Sequence, residues 1–286
     1  MILSNIHFLL LTMENKNPMK FERTNATEKM EELNKKLLLI LLKNCSTNGD
    51  KLSDILKISQ EGSGVPQPPV QLEYDAKLPT HSLPKPQDIK VENIDIRDAI
   101  ENRRSVRNYS DKHITIEELA WLLWATQGVR DIQITEKRTR VLRNVPSGGS
   151  MHPFETYLII DKVEGLKPGI YRYLGMKNEL LGIREVDGIH ETLSELCGHQ
   201  PWIKKGAVSF LWSFIPNRSI WRYTWGACKL FMEVGHICQN LYLAAETVKC
   251  GVCAIGAYDL NGIHKLLGVD DEEQVVVYIA TIGKRK

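Results

Sequence analysis

The sequence predicts an α+β fold with one sheet and packed helices, rather than a doubly wound α/β fold. Segments with strand patterns and segments with helical periodicity follow one another without a regular βαβ alternation. The stretch 225–249 is apolar over much of its circumference as a helix, so we expect it in the core. No Gly-x-Gly-x-x-Gly follows a strand to open a helix, which argues against a dinucleotide-binding Rossmann fold.

The composition fits a globular protein with a large core, since 43% of the 286 residues are hydrophobic and 25% are charged. The formal net charge is +2 and both signs are interspersed, so we expect no nucleic-acid partner. The apolar run at residues 6–11 is too short to span a bilayer and follows no Lys or Arg. We therefore expect a cytoplasmic protein without a membrane anchor.

The first 95 residues differ in character from the rest. Periodic apolar positions predict a helix over 27–43. Residues 62–86 hold six prolines and few large aliphatic side chains, which is typical of an extended connector on a surface. The sequence thus predicts an N-terminal accessory region over 1–95 and a catalytic domain over 96–286.

The catalytic domain begins with two predicted helices. The first covers 96–103. The second begins at Thr115, because Thr115 and Glu118 form a capping-box pattern, and Gly128 stands where a helix ends. After it, the predicted strands are 154–163, 169–174, 180–184, 207–215, 252–258 and 274–282. A short helix capped by Asp259 and ending at Gly268 lies before the last strand.

Several motifs with well-known chemistry are missing or incomplete. The sequence has no P-loop and no Gly-x-Ser-x-Gly elbow, which argues against a P-loop nucleotide hydrolase and an α/β-hydrolase. Cys250 and Cys253 have a spacing that suggests a metal site or a redox pair. No second ligand pair occurs, and the two cysteines follow a long helix rather than lie at a helix start, so small buried side chains are the favoured interpretation. Glu233 and His236 also lack a second pair. We expect no metal site.

Three segments carry residues suited to a flat, phosphorylated ligand. Residues 103–107 place three arginines and a serine together, and guanidinium and hydroxyl groups match a phosphate. Residues 146–153 combine glycines, serines and prolines, so the backbone can approach a ligand closely. Residues 254–258 place small residues before Asp259. Taken singly, each also fits an ordinary helix end, loop or strand end.

Together these segments resemble one family. Arg103-Arg-Ser-Val-Arg-Asn-Tyr109 before a capped helix resembles the opening of the nitroreductase superfamily. Pro146-Ser-Gly-Gly-Ser-Met-His-Pro153 and Gly235-His-Ile-Cys-Gln-Asn-Leu-Tyr-Leu-Ala-Ala245 are similar to its SagB-type dehydrogenase branch. The resemblance covers about residues 95–286. It implies a mixed, mainly antiparallel sheet flanked by helices, in an intertwined homodimer with two FMN sites built from both chains.

The resemblance also implies which residues bind the two ends of FMN. Arg103, Ser105 and Arg285 would hold the phosphate. Arg107 would face the N1 and C2 oxygen region of the flavin ring, with Arg104 nearby. A cation in that region stabilises the negative charge that the ring gathers on reduction.

The remaining implied contacts are backbone contacts or come from the second chain. Pro146, Ser147 and Gly148 of the partner chain would cover the flavin ring. Gly256 and Ala257 would present their backbone to N5, the atom that exchanges the hydride. Small residues at these two positions leave the face of the ring open.

The branch includes oxidases that convert azoline rings of modified peptides to azoles, assisted by a Lys-Tyr pair. Here the matching stretch carries Arg222 and Tyr223, and arginine is a poor base. We expect Tyr223 to act in proton transfer and Arg222 to orient a substrate or polarise an anionic group. Alternatively, both residues begin the next helix and face solvent.

Three functions therefore remain open. The first is a SagB-like dehydrogenase acting on a peptide or other cyclic substrate, in the setting of a cyclodehydratase complex. The second is a reductase that takes hydride from NAD(P)H and reduces nitro compounds, quinones or flavin. The third is a non-catalytic scaffold in a peptide-modifying complex.

Overall fold

The computed structural model describes residues 25–43, 51–223 and 229–286. The chain divides into two compact units, Met1–Lys43 and Asn44–Lys286. The described part of the first unit is a single helix, α1 (Asn25–Lys43), where the sequence predicts a helix over 27–43. The apolar run at residues 6–11 lies outside the described residues. Among the described helices, none is long and apolar enough to cross a bilayer.

The second unit contains the sheet and its helices. Its described helices are α2 (Leu52–Lys57), α3 (Ile96–Asn102), α4 (Ile116–Gln127), α5 (Ile189–Leu196), α6 (Pro216–Arg222), α7 (Lys229–Glu246) and α8 (Leu260–Leu267). Its described strands are β1 (Thr80–Ser82), β2 (Val129–Ile134), β3 (Thr139–Arg143), β4 (Phe154–Ile160), β5 (Gly169–Leu174), β6 (Glu179–Glu185), β7 (Val208–Phe214), β8 (Cys250–Ile255) and β9 (Val275–Lys284). Sequence patterns predict all the longer elements of this set except β2, β3, α5 and α6.

Seven strands form one sheet in the order β1-β6-β5-β4-β7-β9-β8, and every pair of neighbours is antiparallel. Strands β2 and β3 form a separate hairpin. Because β8 lies at the end of the order, one of its edges is free for other segments. This arrangement confirms the predicted α+β class with a mainly antiparallel sheet.

Helices cover both faces of the sheet. The side chains of β4 alternate between the two faces. Leu158 and Ile160 belong to a core shared with α4 and α7. Tyr157 and Ile159 belong to a second core, shared with α5 and α8. A strand whose side chains are buried on both faces reads as a continuous apolar run. The predicted strand 154–163 has this pattern, and all seven residues of β4 are buried.

Helix α4 begins as the sequence predicts. The Thr115 hydroxyl accepts a hydrogen bond from the Glu118 amide at 3.2 Å, and the Glu118 carboxylate accepts one from the Thr115 amide at 3.0 Å. These two bonds satisfy amide groups that a helix start otherwise leaves without partners. At the other end, the Gly128 amide donates to the Trp124 carbonyl oxygen at 2.9 Å.

Residues 65–79 form the extended connector and bond to the body. Gln67 exchanges two hydrogen bonds with the backbone of Thr139, at 2.7 and 2.9 Å. The Leu72 amide donates to the carboxylate of Glu155 at 2.9 Å, and Glu155 forms a buried ion pair with Arg218. The connector is therefore anchored on the sheet. The division at residue 95 stays a prediction about function.

Helix α7 lies within the stretch predicted as a helix over 225–249. It ends at Glu246, and residues 247–249 form a turn, so the predicted end is three residues too late. Residues 224–228 lie outside the described residues. Val234, Ile237 and Leu241 are buried in the core of the sheet. Phe231 and Met232 are exposed by 58% and 59%. The helix therefore carries more apolar surface than the sheet of one chain covers.

Candidate functional site

The arginine-rich segment lies along the free edge of β8. Ser105 forms a parallel bridge with Val252, and the Val106 amide donates to the Val252 carbonyl oxygen at 2.9 Å. The backbones approach closely because Gly251 has no side chain: a Cβ there would lie 2.5 Å from the Cβ of Val106. The position of this segment is thus fixed by strand-like pairing.

Arg103 and Ser105 meet the end of α7. The Arg103 guanidinium lies 5.3 Å from the centre of the Tyr242 ring, a cation–π contact, and the Ser105 and Tyr242 hydroxyls are 3.2 Å apart. The Tyr242 hydroxyl also accepts a hydrogen bond from the Ala254 amide at 2.9 Å. Tyr242 is a contact that sequence reasoning missed, although it lies in the quoted 235–245 motif.

Arg285 lies at the beginning of β8. Its Nε donates to the Cys250 carbonyl oxygen at 3.1 Å, its amide donates to the Lys249 carbonyl oxygen at 3.1 Å, and its guanidinium pairs with Glu246. Glu246 follows Tyr242 by one helical turn on α7. The structure therefore brings Arg285 to the same end of β8 and α7 as Arg103 and Ser105.

The other two arginines of the segment have different surroundings. Arg104 is exposed, and its Nη1 donates to the carbonyl oxygens of Glu101 and Arg103 at 2.7 and 2.8 Å. Arg107 is exposed and lies nearer the middle of β8, close to Cys253. Burial raises the pKa of the Cys253 thiol, and the positive charge of Arg107 opposes that rise. Arg104 thus binds back to the end of α3, whereas Arg107 continues along the strand.

Gly256 and Ala257 follow the end of β8 and are both exposed. A Cβ on Gly256 would have no heavy atom within 4 Å, so the space beside it is open. Gly256 is four residues beyond Val252, the partner of Ser105, which corresponds to about 13 Å along a strand. A ligand that contacts both places must be elongated, with an anionic group at the end near Arg103.

The Pro146–Gly148 loop is bound to the first half of α7. The Ser147 hydroxyl and the Gly148 amide each donate to the carboxylate of Glu233 at 2.8 Å. Burial raises the pKa of Glu233, and these two hydrogen bonds oppose the rise. Glu233 therefore fixes the loop. Glu233 is not part of a metal cluster, since no group of three or more potential metal ligands occurs among the described residues.

Within one chain, this loop is distant from the Arg103 cluster along α7. Glu233 precedes Tyr242 by nine residues, which corresponds to about 14 Å along a helix axis. The structure thus places the predicted residues in two groups. Arg103, Ser105, Arg107, Arg285 and Gly256 follow β8, whereas the Pro146–Gly148 loop lies near the beginning of α7.

Tyr223 and Arg222 end α6 and lie beside the same loop. Tyr223 is 9% exposed, and the Arg222 Nε donates to its hydroxyl at 3.3 Å. Gly149 has a positive φ of 61°, and a Cβ there would lie 2.8 Å from the Tyr223 hydroxyl. The Lys229 ammonium lies 3.7 Å from the centre of the Tyr223 ring. The alternative in which Arg222 and Tyr223 begin the next helix and face solvent is therefore wrong.

Positive charges gather around Tyr223. Burial lowers the pKa of Lys229, Arg222 lowers it further, and Glu233 opposes the change. Burial and the charge of Arg222 also lower the pKa of Arg138. A carboxylate from the N-terminal region, Glu61, pairs with both Arg222 and Arg138. Sequence patterns gave no signal for Glu61.

A cavity of about 760 Å³ opens beside this cluster. Helix α2 and the turn after it form one wall through Leu56, Glu61 and Val65, and the tip of the β2–β3 hairpin forms another through Glu136. Trp221, the residue before Arg222, also lines it. The cavity has the volume of a small-molecule or short peptide site.

Cys250 and Cys253 are buried in β8, as the interpretation of small core side chains requires. Burial raises the pKa of Cys250 to about 12 and also raises that of Cys253. Both groups are therefore thiols near neutral pH, which does not suit a redox pair that needs a thiolate.

Comparison with known proteins agrees with the fold. A protein of Methanocaldococcus jannaschii described as a nitroreductase is 30% identical over 182 residues, which cover 63% of this chain and 88% of that protein. The trifolitoxin-processing protein TfxB of Rhizobium leguminosarum bv. trifolii is 31% identical over 109 residues, or 36% of this chain and only 29% of that protein.

Among solved structures, the McbBCD microcin synthetase complex of E. coli with truncated pro-MccB17 bound contains a chain of similar fold. The TM-score is 0.53 at 21% identity, and the match covers 72% of this chain and 78% of that chain. The sequence also matches the family model described as the nitroreductase family over residues 100–284. With this match across the sheet, its helices and the Arg103 segment, the chain belongs to the nitroreductase family.

Proposed function

We propose that the protein is an FMN-dependent dehydrogenase of the SagB type, which oxidises a ring in a peptide substrate. Membership of the nitroreductase family supports an oxidoreductase. The proposal of FMN as the cofactor rests on the arrangement of residues along β8. Arg103, Ser105 and Arg285 lie at one end, and the open backbone of Gly256 lies at the other.

The donor groups at the basic end fit the FMN phosphate. Two guanidiniums and a hydroxyl offer charge-assisted hydrogen bonds to a dianion. Arg285 already pairs with Glu246 and Arg103 packs on Tyr242, so both are held in place before a ligand arrives. In this proposal Arg107 lies beside the ring with Arg104 nearby. When bound, FMN would supply the redox chemistry by accepting a hydride.

The same arrangement supports a homodimer. The Pro146–Gly148 loop contacts the beginning of α7, whereas Arg103 and Ser105 contact its end. A second copy would bring its own Pro146, Ser147 and Gly148 to the flavin ring and complete the site. Exposed apolar residues of α7, including Phe231 and Met232, offer surface for this pairing.

Proton transfer is the role we propose for Tyr223. Oxidation of an azoline ring removes a hydride from one ring carbon and a proton from its neighbour. The buried Tyr223 hydroxyl can relay that proton, and the adjacent Arg222 guanidinium holds the hydroxyl in place. Arg222 pairs with Glu61, and its proposed role is to orient a substrate or to polarise an anionic group.

The names of two similar proteins support a peptide substrate. TfxB is a trifolitoxin-processing protein, and the microcin synthetase complex was solved with a truncated pro-peptide bound. We therefore propose that the substrate is a ring-containing peptide and that a cyclodehydratase complex supplies it.

Tyr223→Phe tests the proposed function, with a synthetic peptide that contains one thiazoline ring as the probe. The parent enzyme should convert the thiazoline to a thiazole, which mass spectrometry detects as the loss of two hydrogens. Because Tyr223→Phe keeps the ring and deletes the hydroxyl, it should slow this step by about 10²–10⁴-fold and leave FMN bound. Oxidation at the parent rate in the variant would refute the role of Tyr223, and an inactive parent would refute the azoline substrate.

A second candidate function is the reduction of nitro compounds, quinones or flavin by NAD(P)H. The relative described as a nitroreductase, 30% identical over 182 residues, favours it. Anaerobic addition of NAD(P)H separates the two candidates. Rapid bleaching of the flavin absorbance, unaffected by Tyr223→Phe, would favour the reductase over the dehydrogenase.

A further inference from the structure

Glu61 lies where the N-terminal region meets α6. Its amide donates to the Trp221 carbonyl oxygen at 2.9 Å, and the Trp221 indole donates to the Val65 carbonyl oxygen at 2.8 Å. Trp221 itself is 1% exposed. Two hydrogen bonds to a buried residue therefore fix the turn that carries Glu61 beside Arg222.

The carboxylate of Glu61 bridges two arginines that come from different parts of the fold. One oxygen pairs with Nη1 of Arg222, and the other lies 3.5 Å from Nε of Arg138. The three side chains are only 14–18% exposed. Ion pairs with this little solvent contact are screened much less than those on an open surface.

Both arginines lead to the Tyr223 hydroxyl. Arg222 donates to that hydroxyl through Nε, on the side of the guanidinium that Glu61 leaves free. Arg138 donates to the Gly149 carbonyl oxygen at 3.0 Å, and the Gly149 backbone lies against the same hydroxyl. Glu61 thus holds two of the groups that surround the hydroxyl.

The charges at this point require an anion. Arg138 and Lys229 are each close enough to be affected by Arg222, since burial and the charge of Arg222 lower the pKa of both. Without a carboxylate between them, Arg222 and Arg138 would repel each other. Arg222 would then be free to leave Tyr223.

We infer that Glu61 is a positioning residue of the active site, which fixes Arg222 and the Gly149 loop against the Tyr223 hydroxyl. Residues 51–66 thus contribute a positioning residue to the site, although they precede the family match at residues 100–284. The inference rests on the proposed role of Tyr223. The same turn also forms part of the wall of the 760 Å³ cavity.

Glu61→Gln tests the inference, because it removes the charge and keeps the size. With the thiazoline peptide as the probe, kcat should fall by about tenfold to 10²-fold, which is the cost of misplacing a group at a reacting centre. KM should change little, and Glu61→Asp should restore part of kcat. Glu185→Gln, which removes an exposed carboxylate of β6 that pairs with Lys167, is the control and should keep the parent kcat.

A second measurement follows Arg222 without any substrate. In the parent, the Nε proton of Arg222 should exchange slowly with water in side-chain NMR, because it is bonded to Tyr223. It should exchange faster in Glu61→Gln and stay slow in Glu185→Gln. Faster exchange together with a lower kcat supports the inference.

Two results would overturn it. One is unchanged Arg222 exchange in Glu61→Gln, which would mean that Glu61 does not hold the guanidinium. The other is a parent-like kcat despite faster exchange. If the parent itself fails to oxidise the peptide, the proposed function is wrong, and the exchange of Arg222 then decides whether Glu61 holds it.

Discussion

Glu155→Gln should lower the free energy of unfolding by about 3–5 kcal/mol, because it removes the charge of one partner from a buried ion pair. Glu155 and Arg218 side chains are 4% and 2% exposed. Burial lowers the pKa of Arg143 to about 10, and the negative charge of Glu155 opposes this change. Losing the carboxylate charge would leave the guanidiniums of Arg218 and Arg143 without it in the interior.

The loss should also loosen the connector. The Leu72 amide donates to Glu155 at 2.9 Å, and Arg218 donates to the Pro69 carbonyl oxygen at 2.7 Å. Denaturant unfolding at one fixed protein concentration measures the effect, since oligomer stability depends on concentration. Glu185→Gln, in the exposed pair with Lys167, is the control and should unfold like the parent. A parent-like midpoint for Glu155→Gln would contradict this account of the interior.

Arg103→Ala should weaken FMN binding by about tenfold or more, the equivalent of the roughly 1.5–3 kcal/mol that a hydrogen bond to a charged group contributes. Arg103 is half-buried against Tyr242, so its guanidinium is already in place before the phosphate arrives. Titration of the apoprotein with FMN, followed by flavin fluorescence, measures the loss.

Two controls separate a phosphate contact from a general charge effect. Arg97→Ala removes an arginine whose side chain is 80% exposed on α3, and FMN affinity should stay at the parent value. Riboflavin, which lacks the phosphate, should bind the parent weakly and should lose little further affinity in Arg103→Ala. Equal losses for FMN and riboflavin would show that Arg103 does not contact the phosphate.

The sequence predicts those parts of the fold whose signals are local. The Thr115–Glu118 capping box depends on two residues three positions apart, and β4 is a continuous apolar run because helices cover both of its faces. The β2–β3 hairpin escaped prediction since five of the six residues of β2 are exposed, so no alternation marks it. Helix α6 had a usable signal, Pro216 at its first turn.

In the candidate site, too, the sequence predicts the residues that share a local motif and misses those whose partners are distant. Arg103, Ser105 and Arg107 occur in one short motif, and the structure shows them following β8. Tyr242, Glu233 and Glu61 were not predicted as parts of the site, because their partners are distant in sequence. The Glu61–Arg222 pair, for example, joins residues 161 positions apart. No local pattern encodes such a contact.

Sedimentation velocity of the FMN-loaded protein, detected by flavin absorbance, tests the central claim most directly. The two groups of site residues lie about 14 Å apart along α7 in one chain, and our proposal is that a second chain supplies the Pro146–Gly148 loop to each flavin. We expect all the flavin to sediment with a dimer that carries one FMN per chain. Flavin on a monomer, or a colourless protein that takes up no FMN, would contradict the account.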